Sequence, residues 1–346
     1  MSGKFDINIE EVETRDTVDL DYSSLVLKFS GKNVNEILTN TLRRIMLNDV
    51  PTYAFTPDCI VIEENTSVFN NDQIKVRISQ LPIYNTPLDI SYLQEKYWFD
   101  VDYASQDRLK HPSEKDIEIN IQVVNNDENI KYVTTNDIVY RENGKIIKNK
   151  YNQKYPIVLL KLRPMQTLKC NMKAVLGVGE RNAIWSAAGN SYHNIVFDKT
   201  GEKIDHILLY IESHGQFSEY ELIYKACQFM QEKLEDTKQR IHENYEMESS
   251  KNSSLKTIEV TLDNESHTIG GLLINIMQDR DDVEYAGIGK KNELVKQITM
   301  CIRYKKETNE PLKPLIESVD YVIKMMLFVQ EKIHKLGKKY IHVSQK

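Results

Sequence analysis

One arrangement of apolar residues occurs twice in this chain, and it limits the fold more than any single residue does. A strand, a turn, an amphipathic helix and a second strand are predicted over residues 25–58 and again over 257–287. In the first copy Leu25-Val26-Leu27-Lys28-Phe29 is the strand and Ser30-Gly31-Lys32 the turn. Val34, Ile37, Leu38, Leu42, Ile45 and Met46 then recur at the three- and four-residue spacings of one helical face. Asn33 is placed to cap that helix, and Pro51 to stop it. In the second copy Thr257 to Leu262 is the strand and Ser266 or Thr268 the cap. Ile269, Leu272, Leu273, Ile276 and Met277 form its apolar face, and Val283 to Ala286 close it. Each copy belongs to a unit that ends in a long amphipathic helix. The first, Leu222 to Ile241, is striped by Ile223, Cys227, Met230, Leu234 and Ile241. The second follows Pro311 and Pro314 and is striped by Ile316, Val319, Val322, Ile323, Met326, Leu327 and Ile333. Two or three strands cannot cover such stripes, so the economical arrangement packs the two units helix against helix, as a pseudo-dimer within one chain. Two unrelated α+β domains would satisfy the same periodicity.

The remaining segments set the boundaries. Residues 1–20 are acidic and weakly patterned, 53–64 read as strand, and Asn70 to Leu81 as a helix closed by Pro82. From Tyr84 to about Pro156 the composition turns to Tyr, Asn, Lys and Asp. Within that stretch Ile117, Ile119, Ile121 and Val123 alternate with polar residues as a half-buried strand does, and Glu142-Asn143-Gly144-Lys145 is a turn. Strands resume at Val158 to Leu162, Thr167 to Val175, Ile204 to Glu212 and, late in the chain, Leu294 to Tyr304. Residues 243–256, polar and with four serines, read as a linker. The expected fold is α+β: a split first domain (1–84 and 157–242), a β-rich insertion domain (85–156), the linker, and a second domain (257–346).

Charge and composition exclude several functions. Lys and Arg number 45 against 51 Asp and Glu, a net −6. That disfavours a protein whose main task is gripping nucleic-acid phosphates, since such affinity comes from clustered cations. The lysines at 145, 148, 150 and 154 and at 332, 335, 338 and 339 read as solvated faces. No apolar run approaches the ~18–20 residues that span a bilayer. Neither a secretory signal nor a lipidation box is expected. Cys59, Cys170, Cys227 and Cys301 stand far apart, so neither a disulfide framework nor a zinc site is expected, and an intracellular, reducing compartment is.

No motif in the sequence supplies a coherent catalytic set. Gly177-Val178-Gly179 lacks the third glycine of a dinucleotide fingerprint and reads as a turn. Gly287-Ile288-Gly289-Lys290-Lys291 lacks the first glycine and the Ser or Thr of a P-loop. Asp279-Arg280-Asp281-Asp282 straddles a helix end and reads as a solvated turn, and His267 reads as a capping or packing residue. Arg43-Arg44 differs in kind. Two arginines directly after an apolar helical run put at least one off the buried face, where it is either an interface residue or an ordinary exposed one.

These residues also carry a resemblance. Asn40-Thr41-Leu42-Arg43-Arg44-Ile45-Met46, Val50-Pro51-Thr52-Tyr53-Ala54, Glu63-Glu64-Asn65-Thr66-Ser67-Val68 and Arg77-Ile78 with Leu81-Pro82-Ile83 resemble the third-largest subunit of eukaryotic RNA polymerase II. They also resemble the archaeal D subunit and the amino-terminal domain of bacterial α. Leu160-Lys161-Leu162-Arg163-Pro164-Met165-Gln166 and Gly177 to Trp185 continue the likeness. Glu265-Ser266-His267-Thr268-Ile269-Gly270-Gly271-Leu272-Leu273 and Val283-Glu284-Tyr285-Ala286-Gly287 are similar to the small eleventh subunit and its archaeal L relative. The whole looks like a fusion of the two, of the kind found in large eukaryotic DNA viruses.

The resemblance implies a noncatalytic assembly platform for transcription. The halves would pair through Leu38, Leu42, Ile45, Met230 and Leu234 on one side and Ile269, Leu272, Leu273, Ile323 and Met326 on the other. Arg44, supported by Arg43, would contact the second-largest polymerase subunit, with Glu64, Asn65, Thr66 and Arg77 on the same surface. The largest subunit and small zinc-bearing subunits would join the assembly, DNA would be met only through the complex, and no membrane is involved. No cofactor is expected here: residues 85–156 lack the family's cysteine loop for zinc, and the catalytic magnesium belongs to the largest subunit. Lys290-Lys291-Asn292 replaces the eleventh subunit's Pro-His-Pro, and the bacterial carboxy-terminal DNA-binding domain is not expected. A viral source would put the protein in host cytoplasm and virion. An independent nucleic-acid-binding regulator, using the two lysine clusters, is the rival reading.

Overall fold

Both frames form where the periodicity puts them. The computed structural model describes residues 5–17, 22–105, 107–248, 256–290, 292, 294–308 and 310–341. Strands β1 (Asn8–Thr17) and β2 (Tyr22–Ser30) lead to helix α1 (Glu36–Asn48), then β3 (Thr52–Ala54), β4 (Ile60–Asn65) and helix α2 (Asn71–Ser79). β5 (Ile117–Val124), β6 (Lys131–Thr134), β7 (Ile138–Glu142) and β8 (Lys145–Ile147) follow an irregular stretch. β9 (Val158–Leu162), β10 (Thr167–Gly177), β11 (Ala188–Phe197) and β12 (Ile204–Ser213) precede the long helix α3 (Glu219–Glu248). The second frame is β13 (Thr257–Asp263), α4 (His267–Gln278), β14 (Val283–Gly289), β15 (Gln297–Tyr304) and α5 (Lys313–Leu336).

Three sheets carry the helices. The first is antiparallel in the order β1-β2-β12-β11. Leu25, Leu27 and Phe29 stand opposite Ile211, Leu209 and Ile207, and all six are buried. The period of two turns that row toward one face, where α1 and α3 cover it. The second runs β3-β10-β5-β7-β8, with β4 also on β10. β5 pairs with β10 from Ile117 opposite Ala174 to Val124 opposite Thr167. The β-rich stretch therefore extends a sheet begun by the flanking chain, and β6 pairs with β9 outside it. The third, β13-β15-β14, packs against α4.

Along α3 and α5 the two long stripes meet. Met230, Leu234, Val322, Met326, Val329 and Ile333 are buried in one continuous core with Leu38, Leu42, Ile45, Ile269, Leu272 and Leu273. Ile323 lies partly exposed at its margin. Polar contacts cross the same seam: Gln231 Nε2 donates to Gln330 Oε1 at 2.9 Å and Asn35 Nδ2 to Asn275 Oδ1 at 3.0 Å. Lys238 reaches Asp320 at 2.6 Å, and Lys296 reaches Glu180 at 2.6 Å.

Several local expectations are corrected. Asn35 caps α1, accepting from Leu38 N. Asn33 instead accepts from Asp6 N and donates to Tyr321. Residues 53–64 are two strands, because Pro57 starts a short 3₁₀ turn between them. β1 lies in the stretch read as weakly patterned: it is an edge strand with Glu10, Glu11 and Glu13 exposed, and with Ile9, and Ile7 just before it, turned inward. β11 gives no alternation to read: Ser191 is buried while Tyr192 and Phe197 are exposed. α3 runs through Glu248, into the stretch read as linker; residues 249–255 lie outside those described. β15 begins at Gln297, and Leu294, expected in it, is 96% exposed. Leu327 is exposed and Met325 takes its place inside. Cys59 and Cys301 are half-buried. Lys150 is no solvated residue: its ammonium donates to Asn85 O and Thr86 Oγ1 and pairs with Glu142.

Candidate functional site

The six residues expected to meet a partner fall in two places, on α1 and around the turn from β4 into α2. Arg43 and Arg44 sit on α1, both half-buried. Arg43 is tied down within its own helix, with Nε and Nη2 donating to Asn40 Oδ1 at 3.0 and 2.9 Å. Burial, and then the charge of Arg44, lower its pKa. Arg44 has no hydrogen bond or ion pair among the described residues. Two adjacent guanidiniums, one anchored and one uncommitted, suit a carboxylate supplied from outside, since the planar fork pairs with it bidentately.

The other four surround the turn from β4 into α2, and three are occupied. Asn65 donates to Phe69 O at 2.8 Å and to Asn71 Oδ1 at 2.9 Å, and accepts from Ser67 N and Oγ. Thr66 ties the turn to β10, its N–H donating to Thr167 O and its Oγ1 accepting from Thr167 N at 2.7 Å. Arg77 Nε donates to Leu159 O at 2.8 Å, fastening α2 to β9, and its guanidinium lies 6.0 Å from the Phe69 ring. Glu64 alone points outward without such a tie.

What that framework holds up is apolar. Val61, Val68, Phe69 and Val76 are exposed around the turn, and Met165 is 80% exposed just across the Thr66–Thr167 tie. Met165 also adopts φ 61°, a left-handed conformation unfavourable for a side chain with a Cβ. Exposed apolar groups gathered on a braced turn mark a docking surface more than scattered ones do. The sequence signal was Val68-Phe69, an apolar pair immediately before the capping box of Asn70 and Gln73.

A third group lies at the seam. Asp49, at the end of α1, sits near Glu180 and Lys296; burial, and next Glu180, push its carboxyl up to about 7. Glu265, 2% exposed, accepts from Lys233 at 2.9 Å and from Arg240. Burial pulls the Lys233 ammonium down, but Glu265 together with Tyr92 more than offsets it and the pKa ends above its usual value. Gly179 permits the close approach here, for a Cβ would strike Leu47 O. Among the described residues no group of three or more His, Cys, Asp or Glu is placed to hold a metal ion. No described helix is long and apolar enough to cross a membrane.

The RNA polymerase Rpb3/Rpb11 dimerisation domain matches residues 28–234, more than half of the chain. The chain belongs to that family. Its members are similar over different extents. A protein of Acanthamoeba polyphaga mimivirus, provisionally named DNA directed RNA polymerase subunit R470, is 26% identical over 347 aligned positions, covering 93% of this chain and 92% of its own length. DNA-directed RNA polymerase II subunit rpb3 of Dictyostelium discoideum is 26% identical across 49% of this chain and 53% of its own. DNA-directed RNA polymerase subunit Rpo3 of Methanocaldococcus jannaschii is 24% identical across 59% and 84%. The family match ends before β13; the mimivirus likeness, at 93% of this chain, is far too long to end there.

Proposed function

We propose that this chain is a noncatalytic assembly-platform subunit of a multisubunit DNA-directed RNA polymerase. The seam carries this reading: two strand–helix units close their long helices on one another, and the family is defined by a dimerisation domain. In this reading the chain joins a third-subunit-like and an eleventh-subunit-like module as an intramolecular pseudo-dimer, with residues 249–255 within the connection between them. Joining the partners turns their encounter into a unimolecular step, with an effective concentration of ~mM for a short flexible linker.

Arg44, with Glu64 and the apolar residues braced by Asn65, Thr66 and Arg77, would receive the second-largest subunit. The largest subunit would bring the catalytic magnesium, and zinc-bearing small subunits would join, while this chain would hold neither metal. The mimivirus relative supports a viral origin; host cytoplasm and virion would then be the sites of action.

Co-purification tests the reading. Tagged chain expressed with the two largest polymerase subunits of its source should recover both, and alone it should be monomeric. A stable homodimer that recovers neither would overturn it. The rival, an independent nucleic-acid-binding regulator, requires steeply salt-dependent DNA binding by the isolated chain.

A further inference from the structure

The four-stranded sheet ends in two open edges that are built differently. β1 closes one with Glu10, Glu11, Glu13, Arg15 and Asp16, and with a bulge between Glu11 and Glu13. Charges and bulges of this kind keep a free edge from pairing with another chain. β11 closes the other. It pairs with β12 alone and contains no Asp, Glu, Lys or Arg. Its register shifts fall at its ends, so Asn190 to Val196 run in unbroken register with β12. Asn190, Tyr192 and Asn194 are exposed. An edge left long, uncharged and in water is a template for a further strand.

The covered side of that edge is unfinished as well. Ser191 stands opposite Ile211 and His193 opposite Leu209, so both turn to the face that α1 covers. Ser191 is 5% exposed and its hydroxyl has no hydrogen-bond partner; the buried His193 Nδ1 has none either. Buried polar atoms are rarely left unpaired, and here two stand at successive inward positions of one strand. Side chains of paired strands stand about 4.5–5.5 Å apart across the ladder, so a neighbour beyond β11 would meet both. Helix α1 runs along the same strand. Leu47 O accepts from Ser186 Oγ at 3.0 Å just before β11, and Glu36 lies 3.7 Å from His193 further on. Arg43 and Arg44 sit on α1 between those two contacts. A further strand would therefore lie along a helix that brings two guanidiniums to an edge with no acid of its own.

We infer that β11 receives an added strand from the second-largest polymerase subunit, an extended segment whose side chains on the α1 side include a carboxylate for Arg44 and hydrogen-bonding groups for Ser191 and His193. Charge complementarity selects this occupant. A second copy of β11 would bring no acid, and nucleic acid has no main-chain amides to continue the ladder. The inference rests on the subunit reading and deepens it, naming the strand on which that partner is held.

Hydrogen exchange of the full chain, isolated and within the purified polymerase, tests it, with Ser191→Ala and Asn194→Glu alongside. Assembly should slow exchange across residues 190–196 by about tenfold or more, tenfold being the weight of one ordinary hydrogen bond. Ser191→Ala deletes a hydroxyl that bonds nothing in the isolated chain. Its urea midpoint should hold or rise while affinity for the second-largest subunit falls about tenfold. Asn194→Glu puts on an exposed position of β11 the kind of charge that β1 carries, and should weaken the affinity likewise. A benzophenone side chain at position 194 should cross-link, in the assembled enzyme, to a segment of that subunit containing Asp or Glu. Exchange at 190–196 unchanged on assembly, affinity that neither variant lowers, or cross-links to a second copy of this chain, to nucleic acid or to nothing overturns the strand proposal and leaves the subunit reading intact. Failure of the wild-type chain to co-purify with the large subunits is the separate result that overturns both.

Discussion

Replacing Glu265 with alanine isolates what the seam's charges contribute. The carboxylate is 2% exposed and lies just before the Ser266 cap of α4, facing two cations of α3. Arg240 would keep partners without it: Nη1 donates to Asp263 O at 3.0 Å, and Asp236 lies 3.0 Å from Nε. Lys233 would not. Its side chain is 9% exposed, its one ion pair among the described residues is gone, and what remains near it is Tyr92, whose ring lies 5.4 Å away, with the more distant carboxyls of Asp49 and Glu95. Stripping one partner from a buried ion pair costs about 3–5 kcal/mol. An independent ceiling comes from discharging the lysine: at pH 7, losing a proton held at an ordinary pKa near 10.4 costs about 4.6 kcal/mol. Together the two figures bound the loss at about 3–4.6 kcal/mol. Urea unfolding of the full chain, followed by the fluorescence of Trp98 and Trp185, reads it directly. The double variant Lys233→Met with Glu265→Leu removes both charges and should recover most of the loss, because apolar replacement of a buried pair is often neutral. A loss under about 1 kcal/mol for Glu265→Ala, or a double variant as unstable as the single, would refute this account of the seam.

Leu272→Asp forces an unpaired charge among Leu38, Met326 and their neighbours and should abolish cooperative unfolding of the whole chain, seen as two transitions where the wild type gives one. Arg44→Glu should weaken recovery of the second-largest subunit while changing stability by under about 0.5 kcal/mol, measured by pull-down and urea titration on the same preparations. Asp49 has its pKa raised to about 7 in the fold, so its contribution is most favourable below the unfolded value near 4 and is lost as pH rises through 7. Asp49→Asn should therefore gain stability relative to wild type at pH 8, by less than about 4 kcal/mol, and show no gain at pH 4; Glu180, Glu95, Glu265, Lys296 and Lys233 face the same carboxyl and are left in place.

The frames were legible because their signals are local. Helix α1 announces itself by Leu38, Leu42, Ile45 and Met46 at helical spacing, and α4 and α5 likewise, since one covered face must be apolar. β1 and β11 were not legible. Each is an edge of its sheet and pairs on one side only; β1 carries few apolar residues, and β11 exposes Tyr192 and Phe197 while burying Ser191, so alternation fades. Nor could spacing reveal that β5 would join β10, because the pairing partner lies about 50 residues onward in the chain and is chosen by register. Asn33 and Asn35 illustrate the limit at single residues: both could cap a helix, and only the contact of Asn33 with Asp6 and Tyr321 decides between them.

The same limit bears on how a motif is read for function. Asn65, Thr66 and Arg77 are among the residues that identify the family, and a motif invites the assumption that its members touch the partner. Their hydrogen bonds go inward, to Phe69, Thr167 and Leu159. A side chain whose donors are already satisfied gains little by meeting a second acceptor, because the exchange returns one hydrogen bond for another. The residues free to contribute are those the braces display: Val68, Phe69, Val76 and Met165, each with apolar area still in water. Burial of such area is worth roughly 25 cal/mol per Å² before the costs of association. In the proposed docking, the energy at this turn would come mainly from the apolar tips. The polar motif between them fixes the shape in which those tips are offered, and its loss would be felt as a loosened turn before it was felt as a missing contact.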